Sequence, residues 1–147
     1  MKAVVQRVLE AKVEVAGVTT GSIGLGLLVY LGIGKKDLES DVHFMVEKIV
    51  GLRIFDDDSG KMNHSVKDVD GDILLVSQFT LYGSVKKGSR PSFNEAADPK
   101  KANHYYNQVK EQISKTLSKT SQAGIFGAKM KVCSENDGPV TLLLSTD

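Results

Sequence analysis

Residues 77–80 read Ser-Gln-Phe-Thr and follow directly on the apolar run "DILLV". A strand that is apolar as far as Val76 and then presents a hydroxyl, an amide, an aromatic ring and a second hydroxyl carries polar groups at the end of a buried element. Such groups need partners. Neighbouring backbone can satisfy them. Alternatively the strand end opens into a pocket, where Ser77 and Thr80 offer hydroxyls, Gln78 an amide and Phe79 an apolar wall. A few residues on, "SVKKGSRPSF" carries Lys86, Lys87 and Arg90 in a loop rich in Gly, Ser and Pro. Short basic runs are usually solvated surface, but beside a pocket such a run is placed to hold phosphates by charge and by Arg hydrogen bonding. Near the end of the chain, "SENDGPVTLLLS" sets Gly138-Pro139 between a polar run and strand-forming residues. The plain reading is a tight turn between two strands. Yet Asp-Gly alone makes an adequate hairpin. Adding Pro removes a donor and opens access to a cis bond, a minority state of about 5–6% of X–Pro bonds.

Other motifs carry little chemistry. The three histidines, His43, His64 and His104, have no second ligand at a metal-binding spacing, and His43 and His104 fall in helical patterns where packing is the ordinary role. "DDDSG" (56–60) lacks the spaced ligands and terminal Glu of a calcium loop and reads as a solvated turn. "GSIGLG" lacks the Lys-Ser or Lys-Thr ending of a phosphate-binding loop, and no HExxH or GxSxG is present. No metal and no cofactor are expected. Cys133 is the only cysteine, so no internal disulfide is possible and a reducing compartment fits best. The N-terminus interrupts its apolar residues with charges, unlike a signal peptide, and no apolar run approaches the roughly 20 residues that span a bilayer. A cytoplasmic location is expected. A general nucleic-acid binder is usually much more basic than the net charge of +1 found here, so any RNA or DNA contact must come from a local patch.

The elements that must position these residues are legible by period. With 147 residues, 41% hydrophobic and 25% charged, the chain fits one domain over residues 1–147 with an adequate core. "KAVVQRVLEAKVEVAG" reads as two strands meeting near Glu10-Ala11. "LGLLVYLGI" (25–33) is apolar throughout, as in a strand buried on both faces. Asp37 is placed to cap a helix from Leu38, whose stripe is Leu38, Val42, Met45, Val46, Ile49 and Leu52. "RIFDDDSGKM" reads as a hairpin, and 72–83 as one strong strand. Asp98-Pro99 opens a second helix to about Ser118, with Ala102, Tyr105, Tyr106, Val109, Ile113 and Leu117 as its apolar stripe. "GAKMKVCSE" and "VTLLLST" complete the strands. Many strands and two helices without strict alternation predict an α+β fold: a curled, barrel-like, mostly antiparallel sheet flanked by two main helices.

"SQFTLYG", "KKGSRPSFNEAA", "GIFGAKM" and "NDGPVT", in this order, together with "MKAVVQRVLEAKVEV" and "GLLVYLGI", resemble the D-aminoacyl-tRNA deacylases over essentially the whole chain. The resemblance implies a cytoplasmic homodimer that hydrolyses the ester of tRNA charged with a D-amino acid, or with glycine mischarged on tRNA-Ala. It implies a pocket formed by Ser77, Gln78, Phe79 and Thr80 of one subunit. Gly138-Pro139 of the other subunit, with its peptide cis, reaches across as the filter for chirality. Gly removes a Cβ and permits unusual φ, so the pair can aim two carbonyls into the space of an L side chain. Arg7 is then placed to pin those carbonyls, with a surface ion pair as its other reading, and Lys86, Lys87 and Arg90 face tRNA phosphates.

An aminoacyl ester is already activated, so little machinery is needed. Thr80 as nucleophile would want a base that the sequence does not offer. The alternative is positioning, oxyanion stabilisation by amides near Phe79 and Thr80, and help from a tRNA 2′-hydroxyl. Two further readings compete: a small esterase or amidase on free D-amino acid derivatives, and a non-enzymatic RNA- or protein-binding module.

Overall fold

In the computed structural model, which describes residues 1–147, a six-stranded curled sheet carries two helices and a separate small hairpin. In chain order these are β1 (Lys2–Val15), β2 (Val18–Ile23), β3 (Gly26–Gly32), α1 (Glu39–Gly51), β4 (Phe55–Asp56), β5 (Met62–His64), β6 (Asp72–Ser77), a 3-10 turn (Phe79–Tyr82), α2 (Pro99–Leu117), β7 (Gln122–Ala123) and β8 (Lys131–Ser145).

β1 is one strand across Glu10 and Ala11, not the two that its sequence suggests. It stays continuous because its two halves share one edge between different partners. Residues 2–8 pair antiparallel with β3 and residues 11–15 with β2, while β8 runs antiparallel along the opposite edge. The β3–β6 and β6–β7 pairs are parallel. Parallel neighbours need crossover connections, and α1 and α2 supply them.

Both helices lie on one face of the sheet. Met45 and Ile49 of α1 and Val109 and Ile113 of α2 pack there against Val5, Val29 and Leu75. The opposite face buries Val8, Val13, Ile23, Leu28, Leu74 and Val76 in a second cluster. β3 is therefore covered on both faces, as its unbroken apolar run implies. The result is the α+β architecture expected, a curled, nearly closed sheet with two helices against it. No helix is long and apolar enough to cross a membrane.

The helix ends refine the expectations. α2 starts as its sequence implies: the Asp98 carboxylate accepts from the amides of Lys100 (3.0 Å) and Lys101 (3.1 Å), with Pro99 in the first turn. α1 starts one residue later than expected, and Asp37 is not its cap. The cap position is Leu38, which is exposed and outside the packed stripe, and its amide donates to the Asp41 carboxylate at 2.7 Å. Asp37 is buried instead. It accepts from the Met1 amino group (2.7 Å) and from the Gly34 amide (2.6 Å). A buried carboxylate is drawn to a cation and a free amide ahead of a solvated helix end. Between β4 and β5, Asp57 accepts from the hydroxyl and amide of Ser59 and the amide of Lys61. These bonds hold its carboxyl below the usual range, so "DDDSG" is the self-contained turn expected.

Candidate active site

β6 ends at Ser77, and the chain does not continue as a strand through Thr80. The Gln78 amide donates to the Leu31 carbonyl at 2.8 Å, after which residues 79–82 wind into the 3-10 turn. The reason lies in β3 and the residues beyond it. A Cβ at Gly32 would stand 2.9 Å from the Gln78 carbonyl oxygen, and one at Gly34 would stand 2.6 Å from the Tyr82 hydroxyl. The two glycines leave the room into which the turn folds and Tyr82 is buried. Burial, with the Asp37 charge nearby, pushes the Tyr82 phenol far above the ordinary tyrosine range.

A cavity of about 510 Å³ opens where β6 ends. Ser77, Gln78 and Phe79 line it, together with Leu31, Ile33, Val76, Tyr106, Phe126, Met130 and Val132. Eleven of its fifteen lining residues are hydrophobic, the usual make-up of a small-molecule site. Tyr106 donates its hydroxyl to the Leu75 carbonyl at 2.9 Å, and burial pushes its pKa up to about 12. It is a fixed wall, unsuited to proton transfer near neutral pH. Thr80 is not in the lining. It is exposed, and its hydroxyl oxygen accepts from the Gln78 side-chain amide. No imidazole or carboxylate stands among its hydrogen-bond partners. No group of three or more His, Cys, Asp and Glu side chains is gathered to hold a metal ion.

Sequence reasoning misses part of this wall. "GIFGAKM" is legible as a motif, but its residues from Gly127 to Met130 read as the start of the strand "GAKMKVCSE". The structure makes it a turn, with the Ala128 amide on the Ile125 carbonyl (3.2 Å), and starts β8 at Lys131. That turn brings Phe126, Gly127, Ala128 and Met130 to the cavity. Ile33 and Tyr106, by their sequence patterns, read as core alone.

The basic loop is closed at its base by reciprocal backbone bonds between Ser84 and Ser92 (2.8 and 2.9 Å). Just beyond that base, the Phe93 ring meets Phe79 edge-on, with centroids 5.0 Å apart. The loop is thereby tied to a wall of the cavity. Lys86, Lys87 and Arg90 are exposed, and none of them forms a salt bridge.

Gly138-Pro139 is not a turn between two strands. β8 is one 15-residue strand, and the pair lies in a bulge inside it. Gln6 pairs with Thr141 and Val8 with Asn136, so Arg7 alone stands opposite the four residues 137–140. The Gly138-Pro139 peptide is cis, Gly138 has φ 123°, and both residues are exposed. Arg7 is only 6% exposed, so it is no surface ion pair, and its hydrogen-bond partners are not the Gly138 and Pro139 carbonyls. Its Nε donates to the Asp137 carbonyl (3.3 Å) and sits 3.1 Å from the Asp137 carboxylate, while Nη1 donates to the Ile54 carbonyl at 2.7 Å. A buried guanidinium needs such partners on every side.

Within one chain the bulge and the cavity stay apart. Ser77 is in register with Leu31 and, through it, with Ala3 on β1, whereas the bulge faces Arg7. That offset is about 13 Å along the strands, with three strand spacings of about 4.8 Å across them.

Comparisons with known proteins agree along the whole chain. A D-aminoacyl-tRNA deacylase of Thermosipho melanesiensis is 56% identical over 146 residues, covering 99% of this chain and 97% of that protein. One from Clostridium botulinum is 54% identical over the same shares. A solved structure named c-Myc DNA unwinding element binding protein superposes with a TM-score of 0.93 at 45% identity, covering 100% of this chain and 99% of that one. A eukaryotic protein described as a probable D-amino acid tRNA deacylase shares the fold, with a TM-score of 0.83 at 17% identity and 97% of both chains covered. The sequence profile of the D-Tyr-tRNA(Tyr) deacylases matches residues 4–145, and the chain belongs to that family.

Proposed function

We propose that this protein hydrolyses the ester joining a D-amino acid to tRNA, in the cytoplasm, as a homodimer with two composite sites. The observation that carries the reading is a cavity able to position an ester, lined by Ser77, Gln78 and Phe79 and tied through Phe93 to a loop of unpaired cations. It stands in a chain whose relatives at 54–56% identity are named for this activity.

The chemistry asked of the protein is small, because the ester is activated. The 3-10 turn makes its first internal bond from the Leu81 amide to the Gln78 carbonyl. The Phe79 and Thr80 amides precede that bond and are the donors we assign to the developing oxyanion. Attack by water, helped by the neighbouring 2′-hydroxyl of the tRNA ribose, needs no protein base. Thr80→Val is therefore expected to retain deacylation within about threefold of wild type. Single-turnover kinetics on D-Tyr-tRNA check this. A fall to the buffer rate would make the Thr80 hydroxyl a nucleophile.

Rejection of L-aminoacyl groups requires a clash, since affinity for the D form alone still admits the L form. The exposed Gly138-Pro139 segment of a second copy supplies it. A surface for that copy is at hand: Leu143 pairs with Val4, and Val4 with Tyr30, so the three side chains share one face of the sheet. Leu143 is 81% exposed in the single chain. The row lies between the cavity and the bulge, where a two-fold axis would set each beside its counterpart.

Lys86, Lys87 and Arg90 are assigned to tRNA phosphates. The double substitution Lys86→Glu/Lys87→Glu is expected to weaken tRNA binding and to flatten the slope of log K against log salt by about 1.5. Titrations at several salt concentrations check it, and an unchanged slope would remove these residues from the interface.

The deciding assay compares D-Tyr-tRNA, L-Tyr-tRNA, glycyl-tRNA and a free D-tyrosine ester. Turnover of the D-aminoacyl and glycyl esters of tRNA is expected, because glycine has no side chain to exclude, with L-Tyr-tRNA and the free ester spared. A protein that cleaves the free ester equally well is a general esterase. The relative named for DNA binding, at 45% identity, favours a second reading as a nucleic-acid-binding module. Binding of duplex DNA or tRNA with D-Tyr-tRNA left intact would establish it.

A further inference from the structure

We infer that Asn136 is a positioning residue for stereochemical discrimination, an inference that rests on the deacylase reading above. Between the ladder pairs Gln6–Thr141 and Val8–Asn136, β1 advances by one intervening residue and β8 by four. A bulge of that size takes its backbone out of the ladder and has to be closed by other groups. Asn136 closes it from one rim to the other. Its Oδ1 accepts from the Val140 amide at 3.1 Å, and its Nδ2 donates to the Thr141 hydroxyl oxygen at 3.0 Å. The same hydroxyl oxygen accepts from the Gln6 side-chain amide at 3.1 Å. Gln6 belongs to the last ladder pair on the far side, so the bracket is anchored in β1 as well as β8.

Arg7 fixes the bulge separately, through the Asp137 carbonyl and carboxylate. The two devices hold different ends. Arg7 grips the residue before Gly138, and Asn136 grips the residue after Pro139. What lies between them is the exposed Gly138-Pro139 pair. A segment that excludes one enantiomer by contact has to be fixed at both ends, because a filter free to move by an ångström admits what it should reject.

The residue type fits the task. An amide side chain supplies an acceptor for the Val140 amide and a donor for the Thr141 hydroxyl from a single planar group, so Asn136 on one rim holds both residues of the other. Asp keeps the acceptor for Val140, and the Thr141 hydroxyl can turn its proton to donate to the carboxylate. Leu has similar size and neither function. A residue that merely stabilised the strand would lower thermal stability and change D and L turnover together. A positioning residue changes their ratio.

The test measures single-turnover hydrolysis of D-Tyr-tRNA and L-Tyr-tRNA by wild type, Asn136→Leu, Asn136→Asp and Thr141→Val, with amide hydrogen exchange of Val140 in the same samples. Asn136→Leu is expected to lower the D-to-L rate ratio by about tenfold or more, with faster exchange at Val140. Asn136→Asp is expected to restore the ratio to within about threefold of wild type. Thr141→Val, at an exposed position, keeps the Asn136–Val140 bond, cuts the bonds from Asn136 and Gln6 to the hydroxyl, and is expected to fall between them. It carries the test should Asn136→Leu not fold. An unchanged ratio in both Asn136→Leu and Thr141→Val overturns the assignment, as does a loss that Asn136→Asp fails to restore. A wild type without D-over-L preference overturns it too. In that case, faster Val140 exchange in Asn136→Leu places the fault in the deacylase reading, and unchanged exchange places it in the bracket itself.

Discussion

Leu143→Arg is expected to turn the proposed dimer, with its two composite sites, into a folded monomer with no working site. The side chain is 81% exposed in the single chain and shares a sheet face with Val4 and Tyr30, so the monomer loses almost nothing when it changes. A melting shift of no more than about 2 °C is expected, since surface substitutions rarely exceed about 0.5 kcal/mol. The dimer loses it twice, because a two-fold interface repeats every contact. Full burial of one Leu contributes about 1.5–3 kcal/mol, and an unpaired guanidinium in its place costs more. About 6 kcal/mol over both copies corresponds to a dissociation constant raised by about 10⁴. Sedimentation equilibrium reads the association state, and D-Tyr-tRNA hydrolysis in the same samples reads the site. The expected outcome is a monomer with deacylation reduced by about a hundredfold or more. A monomer that keeps full D-specific activity would end the composite-site reading. A dimer of unchanged stability would move the interface to another face.

Local pattern carries the sequence reading wherever one segment decides its own state. The unbroken apolar run of β3, the Asp98-Pro99 start of α2 and the Asp57 turn are all set by neighbouring residues, and they stand as expected. Distant partners decide the rest. Whether β1 breaks at Glu10-Ala11 depends on β8 running along its whole length, which no window of β1 contains. Whether Gly138-Pro139 turns the chain or bulges out of it depends on Arg7 being the one residue opposite. The strand reading of "SQFT" fails at Phe79 because Gly32 and Gly34, more than forty residues earlier, leave the space for a tighter turn. Asp37 looks like a cap because a helical stripe begins just after it, and tertiary contact makes it a buried partner of Met1 instead. The polar residues of the candidate site are visible as chemistry out of place in apolar strands. Its apolar wall is not, because Phe126 and Met130 look like any other core residues until the fold gathers them.

Gly138→Ala is expected to damage discrimination more than any other single methyl added to this chain. At φ 123° Gly138 occupies a region that residues with a Cβ rarely adopt, a cost of order 1–3 kcal/mol. The added Cβ would also stand 2.8 Å from Val140 Cγ2 and 3.1 Å from Arg7 Nη2. Neither neighbour can withdraw easily. Val140 is buried at 8% exposure, and Arg7 is held by the Ile54 and Asp137 carbonyls. The exposed backbone of 138 and 139 therefore has to shift, and under the proposed mechanism that backbone is what an L side chain meets. The D-to-L rate ratio is expected to fall by at least about tenfold, the equivalent of about 1.4 kcal/mol, with D-Tyr-tRNA turnover reduced as well. Gly60→Ala separates this from simple loss of stability. Gly60 also has positive φ, 75°, but lies in the β4–β5 turn with nothing within 4 Å of an added Cβ. It is expected to lower the melting temperature by a few degrees and to leave the D-to-L ratio where it was. If Gly138→Ala kept that ratio while losing stability to the same degree as Gly60→Ala, the bulge would be a structural irregularity of β8, and the barrier to L-aminoacyl groups would have to be sought inside the cavity.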